Sequence, residues 1–148
     1  MITWTPARLA IPPLTPLKNE ERGPTLLMIE DDRAIAEMYR HQLALDGFNV
    51  ALAFDGEEGL TLASQVEPDL VLLDVRLPGI QGFGVLERLR SDPRLSAIPV
   101  VLLSNYGDPR MVERGLQLGA RDYLIKSRTT PMELSLKVRA LLGSETSD

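Results

Sequence analysis

Hydrophobic positions in this chain gather into four short solid runs, each ended by polar residues. Thr25-Leu-Leu-Met-Ile29 leads into Glu30, Asp31 and Asp32, and Leu70-Val-Leu-Leu73 leads into Asp74. Val100-Val-Leu-Leu103 ends on Ser104, and Tyr123-Leu-Ile125 ends on Lys126. Runs without alternation predict parallel strands with both faces of their sheet covered. Val50 to Phe54 alternates more and predicts an edge strand. Between the runs the apolar period becomes helical: Ile35, Tyr39 and Leu43 stripe one segment, and Leu134, Val138, Leu141 and Leu142 another. Asp55 with Glu58, and Thr130 with Glu133, have the spacing of capping boxes, and Pro131 falls at a first helical position. Asp108-Pro109 is a further start signal, while Gly47, Gly119 and Gly143 stand where helices should stop. Strand and helix thus alternate five times. Right-handed crossovers and two-sided covering then predict an α/β, three-layer doubly wound sandwich around a parallel sheet.

Ahead of Thr25 the pattern stops. Residues 1–23 hold Pro6, Pro12, Pro13 and Pro16 with neither helical nor strand period, which predicts an extended or disordered N-terminal arm. A docking role for Trp4 and the Leu9–Leu14 stretch is the alternative. The domain is expected over residues 24–143, with a short tail over 144–148. A chain of 148 residues suits one core, and an apolar fraction of 44% with 25% charged residues suits an ordinary globular protein. The absence of cysteine excludes disulfides and thiolate metal sites. A formal charge of -5 and a pI near 4.9 argue against direct nucleic-acid binding. No run approaches the roughly 20 apolar residues that span a bilayer, and no secretory signal is evident, so the expected location is the cytoplasm with no membrane partner.

In a doubly wound sheet, ligands bind beyond the carboxyl ends of the strands. The polar residues that end the four runs belong there. Carboxylates crowded together raise one another's pKa unless a cation neutralises them, and Mg²⁺ is the natural cation for such an oxygen set. Asp74, ending the most hydrophobic and hence most central run, is the candidate nucleophile: a carboxylate attacking a phosphoryl donor forms an acyl phosphate. Glu30 and Asp31 are candidate metal ligands, Ser104 a hydrogen-bond donor to one phosphoryl oxygen, and Lys126 a point charge for another. Asp32 is expected to cap the first helix instead.

These residues resemble those of the bacterial response-regulator receiver domain, over Thr25 to Leu142. Ile29-Glu-Asp-Asp32 is similar to that family's acidic turn, and Leu73-Asp-Val-Arg-Leu-Pro-Gly79 with Gly82 to its phosphoacceptor loop. The positions 31, 74, 104 and 126 keep matching separations. The resemblance implies a flavodoxin-like strand order 2-1-3-4-5. It implies phosphorylation of Asp74, Mg²⁺ held by Glu30, Asp31, Asp74 and the Arg76 backbone carbonyl, and a switch through Ser104 and Tyr123. It further implies a sensor histidine kinase or histidine phosphotransfer protein as donor. Signalling would run through the fourth helix, fifth strand and fifth helix, which is also the implied face of a homodimer. The chain departs from the family in having Ser127, not proline, after Lys126, for which a trans peptide is the default. Bulky Arg76 and Tyr106 beside the site predict shielding of the acyl phosphate.

Rival readings are a receiver fold used only for binding and an aspartyl-nucleophile phosphohydrolase. The second is disfavoured by Arg76, where such hydrolases carry a second aspartate. His41 is expected on a solvated helix face, and Met28 and Met38 in the core. No output domain follows Leu142, so a stand-alone regulator is the expectation.

Overall fold

The computed structural model describes residues 23–146; the arm and its docking stretch lie outside the described residues. Five strands and five helices alternate: β1 (Thr25–Ile29), α1 (Arg33–Leu45), β2 (Asn49–Ala53), α2 (Gly56–Val66) and β3 (Leu70–Asp74), then α3 (Gly82–Ser91), β4 (Val100–Ser104), α4 (Pro109–Gln117), β5 (Asp122–Ile125) and α5 (Pro131–Thr146). All pairings are parallel and the strand order is 2-1-3-4-5. The solid runs at β3 and β4 are buried throughout, as strands covered on both faces must be. The alternating β2 is an edge strand.

Alternate residues of each strand feed two cores. Leu26, Met28, Leu70, Leu72 and Leu103 pack under α1 and α5 with Tyr39, Leu43, Leu134 and Val138. Leu27, Ile29, Leu73 and Leu102 pack on the other face with Ala63, Val85 and Leu89 of α2 and α3. Met28 is fully buried, but Met38 is 46% exposed, against the expectation that both are core. Its place on α1 lies off the Tyr39–Leu43 stripe, so helical phase carries it outward. His41 is exposed as expected.

The caps form as the spacing predicts, except that the Glu58 carboxylate accepts the Phe54 amide rather than that of Asp55 and so leaves that capping box half made. Asp32 accepts from the amides of Ala34 and Ile35, Asp55 from Glu58, and Asp108 from Arg110 with Pro109 at the helix start. Thr130 and Glu133 make both halves of a capping box, at 2.9 and 3.1 Å. Gly47 and Gly119 end helices at φ of 98° and 106°, the left-handed region glycine tolerates. Gly143 does not end α5, which continues to Thr146. A glycine costs about 1 kcal/mol in a helix, which alone does not terminate one without a left-handed turn behind it. Among the described residues no peptide is cis, Lys126–Ser127 included, and no helix is long and apolar enough to cross a membrane.

One glycine fixes how the β3–α3 loop returns. A Cβ on Gly82 would stand 2.3 Å from the Asp74 carbonyl oxygen and 2.7 Å from Val75 Cα, both immobile backbone. Gly82→Ala is therefore expected to destabilise the protein by about 3 kcal/mol, at the upper end of overpacking costs. Urea denaturation checks this, and an unshifted midpoint contradicts it.

Candidate functional site

Each polar strand end arrives where its strand delivers it. β1 and β3 are adjacent, so Glu30 and Asp31 leave the sheet beside Asp74. Glu30 continues the ladder, its amide donating to Ala53 O at 2.9 Å, which pins the side chain inside. Its Oε2 accepts the Asp32 amide at 3.1 Å, so Asp32 serves the acidic turn as well as capping α1. Lys126 extends from the end of β5 across β4, and its ammonium sits 3.0 Å from Asp74 Oδ2 and 2.5 Å from Glu30 Oε1. All three side chains are nearly closed off from solvent, at 8% exposure for Lys126, 2% for Glu30 and 7% for Asp74. Asp31 is exposed.

The group borders a cavity of about 260 Å³ lined also by Ile35, Arg76, Asn105 and Tyr106. Asn105 was not singled out by sequence reasoning, although its place directly after Ser104 was the available signal. One carboxylate oxygen each from Glu30, Asp31 and Asp74 lies within 4.8 Å of the others, a set able to share one small divalent ion. Glu30 Oε1 is buried, with the Lys126 ammonium beside it. A carboxylate with a lone pair left over suits a metal, so the residues present fit Mg²⁺.

Electrostatics follow from the burial. Desolvation pushes the Glu30 carboxyl up to about 7, and the Asp74 charge adds to the rise. The hydrogen bonds from Lys126 and the Asp32 amide offset it only in part. Burial would lower the Lys126 ammonium, but its bonds and attraction to Glu30 and Asp74 outweigh this and hold it above its ordinary value. Lys126 is thus a firmly protonated cation holding two carboxylates together.

Ser104 is one residue beyond Leu103, the partner of Asp74 across the strands. It is buried at 1% exposure, and its hydroxyl accepts the Tyr106 amide at 3.1 Å rather than facing the cavity. Tyr106 has two further ties. Its carbonyl accepts the Tyr123 hydroxyl at 2.8 Å, and its ring lies under the Arg76 guanidinium at 4.9 Å. The Tyr123 ring is turned inward, 8% exposed, beside Gly115 of α4, where an added Cβ would stand 3.4 Å from the ring. Arg76 also donates its amide to Asp74 Oδ1 at 3.2 Å. Tyr106 therefore joins Ser104, Tyr123 and Arg76 through three different contacts, and Arg76 in turn bonds Asp74.

A parallel sheet of this order with an acidic turn, a central aspartate and a paired lysine defines a receiver-type fold. Residues 26–139 match the family model described as the response regulator receiver domain, and the chain belongs to that family. It is 42% identical over 119 residues to the DNA-binding dual master transcriptional regulator RpaA of Synechocystis sp., covering 80% of this chain and 49% of RpaA. It is 43% identical over 122 residues to the transcriptional regulatory protein AfsQ1 of Streptomyces coelicolor, covering 80% of this chain and 51% of AfsQ1. The chain spans about half the length of these relatives. Among solved structures, the receiver domain of the Francisella response regulator 1452 superposes with a TM-score of 0.78 at 29% identity, covering 84% of this chain and all of that one. The chemotaxis protein CheY4 of Vibrio cholerae gives 0.74 at 26% identity, with 79% and 97% covered.

Proposed function

We propose that this domain is the phosphoacceptor of a two-component relay, taking a phosphoryl group onto Asp74. The observation that carries the reading is the convergence of the Lys126 ammonium and the three carboxylates on one cavity. An oxygen of Asp74 attacks the phosphorus of a phosphohistidine on a sensor histidine kinase or histidine phosphotransfer protein. The new O–P bond forms as the N–P bond breaks, and the histidine leaves as neutral imidazole after taking up a proton. Glu30, Asp31, Asp74 and the Arg76 carbonyl would hold Mg²⁺, which supplies charge neutralisation for the phosphoryl oxygens. Lys126 keeps its place beside Asp74 and holds one phosphoryl oxygen as a point charge. Ser104 gives its hydroxyl hydrogen to another. The domain is a signalling acceptor rather than a turnover enzyme, and it works in the cytoplasm.

The readout follows from Tyr106. When Ser104 turns to the phosphoryl group, the Tyr106 amide loses its acceptor, and the loop carrying the Tyr123 hydroxyl bond is freed to shift. Because the Tyr123 ring is already inside, the output is a repositioning of α4, β5 and α5 around it. That face serves protein partners, including a second copy. DNA contact is proposed only for whole regulators of the kind named RpaA, where chain beyond the receiver is available for it.

Incubation with Mg²⁺ and acetyl phosphate, followed by intact mass measurement, is expected to show a gain of one phosphoryl group that Asp74→Asn abolishes. Turnover of a small phosphoester would favour a hydrolase instead, and no reaction would favour a binding module. Arg76 stacked on Tyr106 roofs the cavity, so the double change Arg76→Ala, Tyr106→Ala is expected to speed loss of the phosphoryl group about tenfold, within the range of barriers a single lost shield changes. An unchanged dephosphorylation rate contradicts the shielding role.

A further inference from the structure

Among the described residues, four of the seven large apolar side chains that stand exposed lie on just two helices. Met38 and Leu45 of α1 are 46% and 68% exposed, and Met132 and Leu136 of α5 are 61% and 63% exposed. The two helices are bound along one seam. Asp46, which caps α1, accepts the Ser135 hydroxyl, and its carbonyl accepts Arg139 at 2.5 Å. The Tyr39 hydroxyl reaches the Thr129 carbonyl at 3.1 Å. Met38 and Leu45 are two turns apart and flank Gln42, which bonds Asp46 from the seam side. Met132 and Leu136 are one turn apart and flank Ser135, which meets the same Asp46. The four apolar side chains therefore stand exposed on the two helices that meet at this seam.

The described chain begins near one end of that seam. The Gly23 carbonyl accepts Asn49 Nδ2 at 3.2 Å, and a Cβ on Gly23 would fall 2.2 Å from the Gly47 oxygen, one residue beyond Asp46. The 22 residues ahead of Gly23 thus start beside the C-terminal end of α1. Leu17 is six residues away and can lie up to ~20 Å from Gly23, about the length of α1 at 1.5 Å per residue. Ile11, Leu14 and Leu17 recur every third residue among Pro12, Pro13 and Pro16. A three-residue repeat is the one that polyproline II ligands in general present along one edge, at roughly 9 Å intervals. Met38 and Leu45 are separated by a similar distance, about 10 Å along the helix.

We propose that the N-terminal arm docks in cis along the α1–α5 seam, with Ile11, Leu14 and Leu17 seated against Met38, Leu45, Met132 and Leu136. Proline stiffness reduces the ordering cost of such a contact, and the short tether raises the effective concentration to about millimolar, so a weak contact is populated. The arm would then cover the side of α5 that meets α1, so it shares that helix with the proposed α4–β5–α5 output surface. It stands independently of the chemistry at Asp74.

The full chain has no cysteine, so Ala10→Cys accepts a single nitroxide label in the arm. Docking predicts selective broadening of the Met38, Leu45, Met132 and Leu136 amide signals, with Val66 and Leu116 left sharp. Leu136→Asp, an exposed substitution, is expected to relieve the broadening at all four. Mixing labelled protein with isotope-enriched unlabelled protein is expected to give none, which separates a contact within one chain from one between copies. Broadening in the mixture, at Leu116 instead, or nowhere would overturn the proposal.

Discussion

Replacing Lys126 with methionine is expected to destabilise the metal-free protein by about 3 kcal/mol, the lower end of what removing one partner of a buried ion pair costs. Methionine keeps the length and apolar stem of lysine while deleting its charge, so the loss is electrostatic. Glu30 and Asp74 would then share a closed site with no cation between them, and Glu30 is already held up at about 7 with Lys126 present. The same change is expected to slow phosphorylation by about a hundredfold, the usual effect of removing one preorganised charge from a developing anion. Added Mg²⁺ should restore part of the stability, because it replaces the missing positive charge, but not the rate, because the phosphoryl oxygen still lacks its ammonium partner. Urea denaturation with and without Mg²⁺, beside a phosphorylation time course, reads both effects. Stability unchanged in chelator would contradict the account of Lys126 as the clamp.

The second large effect is on metal affinity. A carboxyl raised in the folded state contributes stability that is complete below its unfolded value of 4.5 and disappears as pH rises through about 7. The metal-free protein should therefore weaken across that interval. Mg²⁺ requires Glu30 ionised, so its apparent affinity runs the opposite way, rising about tenfold per pH unit below 7 and levelling above it. Calorimetric titration across that range checks the slope, and Glu30→Gln is expected to remove it. An affinity independent of pH would show that Glu30 is not a ligand.

What the sequence made legible was local. A polar residue ending a solid apolar run can be read without knowing its neighbours, which is why Glu30, Asp74, Ser104 and Lys126 could be placed at strand ends. The capping signals at Asp55, Asp108 and Thr130 are equally short-range. What escaped depended on contacts between distant segments. The Gly82 backbone lies against Asp74 and Val75 because α3 must start tight beneath β3, and the same glycine in a looser loop would look no different. The stacking of Arg76 on Tyr106 and the Tyr123 hydroxyl bond to the Tyr106 carbonyl unite three separate strand ends. The Ser104 hydroxyl was read only as a donor to a phosphoryl oxygen, and the hydrogen bond that it accepts from the Tyr106 amide was not legible. Met38 shows the limit of composition: an apolar side chain on a helix is buried only if its phase matches the stripe, and Met38 lies off it.

The most direct test of Asp74 as the acceptor is chemical trapping. Borohydride reduces an aspartyl phosphate to homoserine, so protein treated with acetyl phosphate and Mg²⁺, reduced and digested, should yield a peptide with homoserine at position 74 and nowhere else. Homoserine at Asp31 or Asp32, or an unmodified Asp74 in protein whose mass has risen by one phosphoryl group, would contradict it.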